Sequence, residues 1–339
     1  MSIAAASAYT STLNLKATTT LVAADKGAAA KSTGGEPFPS SASGSAVIVS
    51  LSVQAQAAMA TSSAAKAGPA GAGTDAAASR YTAYFPTRDG KPATALAKTV
   101  SDPGAVSSSA GLSGLDVAKD ARARMDAQYA AMEASGKPFD INSFEGKDWY
   151  SLMGDLDRRS LYAVRSNAGG QFTKEEQDMA QSIMVQQQGL AMGLYSGPIS
   201  QEGSFVDPFA GNHAARMKAG VKFLDGVGGE EKSSVEWATS RAAAQFSYET
   251  LMEREDEAAE NLDSDNPLVK LIKASMETMR NDPSRGITRD LIRTPEDLKN
   301  QAWFKGFESQ LDQAIEQTKA MYRSDDESGD QAGPASTEA

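Results

Sequence analysis

Glu145, Asp148, Asp155 and Asp157 crowd around Trp149 and Tyr150 within residues 139–172. Carboxylates beside aromatic rings suit carbohydrate cleavage, in which one acid protonates the leaving oxygen and a second attacks or activates water. On that reading Glu145, Asp148 and Asp155 are the candidate catalytic acids of a hydrolase. Arg158 and Arg159 stand at helical spacing from the same acids and would pair with them instead. A chain with 44 Asp and Glu also offers such groupings by chance. The aromatic residues Trp149, Tyr150, Tyr162 and Phe172 flank an Asn-Ala-Gly-Gly turn at 167–170. They read either as anchors of an interaction groove or as core.

Other chemistries find less to work with. His213 is the only histidine and Cys is absent, so a nucleophilic relay would have to run through His213 and a serine. No G-x-S-x-G elbow accompanies it. One His and no Cys also exclude the usual multi-ligand zinc sites. Asp263, Asp265 and Asn266 begin a calcium-loop pattern, but Pro267, Leu268 and Val269 interrupt it. No metal and no cofactor is expected.

Charge narrows the partners. Residues 1–112 hold eight Lys and Arg against five Asp and Glu, whereas residues 113–339 hold 25 against 39, a net of −14. Phosphate backbones bind clustered cations, so nucleic acid is excluded as a partner, and an anionic lipid surface is disfavoured. Residues 249–265 carry eight acids and one Arg: a face for a basic partner, or a solvated helix end. No stretch approaches the ~20 apolar residues that span a bilayer. The opening lacks a basic leader and Lys16 interrupts any apolar run, so the expected location is the cytoplasm, or export without a cleavable signal.

The elements that must position these residues begin late. Ala, Ser, Thr and Gly dominate residues 1–112, and large apolar side chains are too sparse there to offset the ~1–2 kcal/mol of ordering each residue demands. This third is expected to be a disordered or weakly structured arm with short elements near 46–60 and 81–86. In the first, Val47, Val49, Leu51 and Val53 alternate at strand period. Its VSLSVQAQAA resembles a phrase in some bacterial flagellar proteins, ten residues that assign the chain to no family. The second, YTAYFP, is a segment that docks on a partner or packs on its own body.

From residue 113 the pattern is helical. Ser113 precedes a helix to Ala134. Trp149, Leu152, Leu156, Leu161 and Val164 form an apolar stripe ended by the Gly-Gly turn. Thr173 and Glu176 form a capping box for a helix through Leu194. Further starts are read at Asp207-Pro208, at Ser233 or Ser234 with a helix through Leu262, at Asn266-Pro267, and at Thr294-Pro295 with a helix through Tyr322. The fold class is therefore mainly α: a body of six to seven helices over 113–323, followed by a disordered acidic tail over 324–339. The reading leans to a non-enzymatic interaction or structural protein, a bacterial assembly- or secretion-associated factor with a protein partner. A hydrolase near Trp149 and a small-ligand or cation-binding module are its rivals.

Overall fold

The computed structural model describes residues 80–281 and 292–328. The element expected near 46–60, most of the expected N-terminal arm, and residues 329–339 of the tail lie outside them. Among the described residues there are eleven α-helices and no strand. These are α1 (Thr94–Ser101), α2 (Gly114–Ala134), α3 (Lys147–Met153), α4 (Arg158–Arg165), α5 (Lys174–Ala191), α6 (His213–Asp225), α7 (Gly229–Lys232), α8 (Val235–Arg254), α9 (Pro267–Asn281), α10 (Pro295–Lys299) and α11 (Glu308–Ser328). Nine of them have seven residues or more. No helix among the described residues is long and apolar enough to cross a membrane.

The mainly-α expectation holds, but the body starts well before residue 113. Tyr81, Tyr84, Phe85, Leu96, Ala97 and Val100 are all buried in the first core. Composition hid this because α1 packs with small side chains: Ala97 is 0% and Thr99 1% exposed. Tyr84 and Phe85 therefore pack on their own body. Leu96→Ala is expected to lower stability by about 2–5 kcal/mol, as a large-to-small change does in a closed core. Thermal unfolding of the full chain checks this, and an unchanged melting temperature would mean that α1 is not part of the body.

The caps explain most starts and several corrections. Thr173 Oγ1 accepts the Glu176 N–H while the Glu176 carboxylate takes that of Thr173, completing the expected box on α5. Ser234 caps α8. Asn266 Oδ1 accepts from the N–H groups of Leu268 and Val269 at the start of α9. Ser113 occupies the N-cap position of α2, yet its side chain makes no capping bond. Asp207-Pro208 does not open α6: Asn212 does, accepting from Ala215 N at 2.8 Å, and Asp207 turns to the Phe209 N–H and to Arg216.

Three expected long helices are shorter or broken. The stripe from Trp149 to Val164 splits into α3 and α4 because Asp157 accepts the Ser160 N–H and starts a new helix. Gly154 lies at this break, where a Cβ would sit 3.3 Å from that of Ala93. Helix α8 stops at Arg254, short of Leu262, with Asp256 at φ 56°. Glu255, Asp256 and Glu257 there would crowd the negative end of the helix dipole. Beyond Thr294, whose capping box with Asp297 is present, α10 ends at Lys299, and Gly306 at φ +95° separates it from α11. Helix α11 then runs to Ser328, five residues into the expected tail.

Two apolar cores result. The first gathers α1 to α5 and the turn before α1; the second gathers α6 and α8 to α11 around Trp303 and Phe304. Between them runs a seam of charge. On α4, Arg158 grips Glu231 of α7 through two bonds of 2.8 and 2.7 Å. Arg159 pairs with Glu230, and Arg165 with Glu236 of α8. Gln181 of α5 also donates to Glu236.

Candidate functional site

The segment nominated by the sequence folds around Trp149. Its indole is 4% exposed and packs edge-on against Phe139, ring centres 4.8 Å apart, and Phe139 packs edge-on against Tyr129. The buried indole N–H needs an acceptor and donates to Ile141 O at 3.1 Å. Tyr150 sends its hydroxyl to Gln186 Oε1 at 2.8 Å, and the Gln186 amide donates in turn to Tyr84 O and Ser196 O. Phe172 is buried with the Arg122 guanidinium 5.6 Å from its ring. Burial raises the Tyr162 pKa, opposed by the neighbouring Arg165. All four aromatics thus belong to the first core or pack against it, and no ring pair links them directly to one another.

The three nominated carboxylates hold three separate sets of partners. Glu145 accepts from Ser200 N and from Ser200 Oγ, both at 3.0 Å. Asp148 is 4% exposed, accepts the Asp140 N–H at 2.9 Å and pairs with Arg88. Asp155 pairs with Arg124, which also holds Asp120. Asp155 opens on a shallow cleft that Glu145 and Asp148 do not line. The structure therefore brings no two of them to one cavity. His213 is exposed at the first residue of α6. Among the described residues no group of three or more His, Cys, Asp or Glu could hold a metal ion.

Asp157, noted in the sequence only as one acid among four, is the most heavily used carboxylate of the group. It is 2% exposed. Oδ2 accepts the N–H groups of Ser107 and Ser109 and the Ser109 hydroxyl, and Oδ1 accepts the Ser160 N–H. Burial alone would raise its pKa; the hydrogen bonds from Ser107, Ser109 and Ser160 outweigh it and hold the carboxyl below the ordinary value of 3.8.

The Glu145 clamp has a consequence on the surface. Glu145 sits at φ 55°, an unfavourable backbone for a residue with a Cβ. Its bonds to Ser200 tie the turn at Phe144–Gly146 to the turn at Ile199–Ser204. Each turn carries a large apolar residue in solvent: Phe144 is 74% and Ile199 83% exposed, and Val206, two residues past the second turn, is 82% exposed. Beneath the second turn Tyr84, Tyr195 and Phe205 pack ring against ring, with centres 5.4–5.8 Å apart. Burial first, then the nearby Glu202, pushes the Tyr195 phenol up to about 12, so it stays protonated and donates to Pro198 O. Phe144, Ile199 and Val206 carry no periodic signal in the sequence, because they lie in turns and loops and stand largely in solvent.

The chain matches no protein-family description, no curated protein and no solved structure.

Proposed function

We propose that the chain is a non-enzymatic helical interaction or structural protein, a bacterial assembly- or secretion-associated factor, whose partner contacts Phe144, Ile199 and Val206. One observation carries this reading. Three large apolar side chains stand in solvent on or beside two turns joined by the Glu145–Ser200 clamp, the second of them also resting on the packed rings of Tyr84, Tyr195 and Phe205. Scattered apolar residues are ordinary on a surface, but residues displayed on a built support resemble the anchors that dominate protein interfaces. The pairing of Asp148 and Asp155 with Arg88 and Arg124 favours this reading over the hydrolase.

The test places a photoreactive residue at position 144 of the full chain, and at exposed Lys222 as a control, in an extract of the source cells. A discrete cross-linked product is expected from 144 only, and lost in the Ile199→Asp variant. Equal labelling from both positions would remove the proposal. Turnover of a saccharide substrate abolished by Asp155→Asn, with unchanged melting, would return the hydrolase reading.

A further inference from the structure

A shallow cleft of about 660 Å³ opens between the start of α1, the middle of α2 and the end of α3. Its lining mixes polar and apolar surface and carries three cations, Lys91, Lys98 and Arg124, beside Asp89 and Asp155. Four of these five charges are matched within the cleft: Lys91 with Asp89, Arg124 with Asp155. Lys98 is the exception. It is half-buried on α1, and among the described residues no carboxylate pairs with it. The other half-buried lysines each have a carboxylate or an aromatic ring: Lys218, Lys273 and Lys299 are in ion pairs, and Lys147 and Lys232 lie over Phe144 and Tyr322. A half-buried stem fixes the lysine in the cleft while leaving its charge available to a ligand. In a chain with 44 acids a counter-charge is easily come by, and here the fold leaves it out.

Two further side chains of the same cleft have uncommitted donors. The Gln128 side chain lines the same cleft, half-buried and with no described partner. Arg124 donates from Nε to Asp120 and from Nη1 to Asp155, which leaves its Nη2 hydrogens without a described partner. One unmatched positive charge in a cleft that also offers an amide and a guanidinium edge suits an acceptor-rich anion. The acidity of the rest of the chain does not oppose this strongly, because at physiological ionic strength exposed charges farther than about 8 Å away are largely screened.

We propose that this cleft binds a small oxyanion, a phosphate or carboxylate group, with Lys98 as its charge partner and Gln128 and Arg124 as flanking donors. The site is separate from the apolar surface assigned to a protein partner and stands whether or not that surface functions.

Calorimetric titration of the full chain with inorganic phosphate and, separately, with citrate tests it, alongside nitrogen-15 spectra that follow the Gln128 side-chain amide. At least one anion is expected to bind at roughly 10 mM or below and to move the Gln128 amide signal. Binding of phosphate alone or citrate alone assigns the class. Lys98→Met, which keeps the aliphatic stem, is expected to weaken binding about tenfold or more; Lys98→Arg should retain it, and Lys222→Met should leave it unchanged. Absence of binding by both anions overturns the proposal, as does equal binding by the Lys98→Met and unaltered chains. Should Lys98→Met fail to fold, Gln128→Ala replaces it, and a Gln128 signal unmoved by either anion in the unaltered chain is equally decisive against the site.

Discussion

Replacing Glu231 with alanine is expected to destabilise the fold by about 3–5 kcal/mol, because it strands the Arg158 guanidinium in the interior. Arg158 is 3% and Glu231 7% exposed. The guanidinium meets both carboxylate oxygens, and its Nη1 donates to Met184 O and Gln187 Oε1 at 3.1 and 3.2 Å. Its plane also lies 4.8 Å from the Phe223 ring centre. Without the carboxylate these neighbours offer only neutral partners for a full charge. The double change Arg158→Met with Glu231→Leu should recover much of the loss, since a buried ion pair exchanged for apolar residues of similar size is often close to neutral. Urea unfolding of the two single variants and the double variant measures the difference. A Glu231→Ala chain as stable as the parent would show that the seam between the cores is open to water.

The second large effect is expected at Asp157. Asp157→Asn keeps the shape but turns an amide NH2 toward donors, either the Ser107 and Ser109 groups at Oδ2 or the Ser160 N–H at Oδ1. The loss should reach about 3 kcal/mol at neutral pH, given the strength of hydrogen bonds to an ionised acceptor. The dependence on pH fixes the cause. The folded pKa lies below the unfolded value near 3.8, so the carboxylate contributes its full stability above that value. The contribution fades as pH falls through the lower, folded pKa. The gap between parent and Asp157→Asn chains should therefore be constant from neutral pH down to about pH 5 and close below about pH 4. A gap that persisted unchanged into that acid range would mean that the ionised form is not what the serine loop recognises.

Features with a local physical cause were readable from the sequence alone. The Thr173–Glu176 box, the Ser234 and Asn266 caps and the Pro295 start each need only side chains a few residues apart, and each stands where expected. What escaped depends on distant contacts. Ser107, Ser108 and Ser109 have the composition of a linker, yet Ser108 and Ser109 are 5% and 0% exposed because they fold onto Asp157 and Ser160. Helix α1 escaped because only Leu96 and Val100 in it are large and apolar. The aromatics around Trp149 lie in or against the first core, whereas the displayed residues Phe144, Ile199 and Val206 have no signature until their neighbours are in place. Asp207 misled because an Asp-Pro pair starts turns as readily as helices.

The charged seam also decides how the two oily halves may meet. Apolar surfaces alone tolerate sliding, since one leucine is much like the next. Arg158, Arg159 and Arg165 of α4 facing Glu231, Glu230 and Glu236 do not. Slippage by one helical turn, about 5.4 Å, would carry each guanidinium past its acid and leave the buried Arg158 and Glu231 unmatched in a dry place. The halves are keyed as well as glued, and only one alignment turns the key.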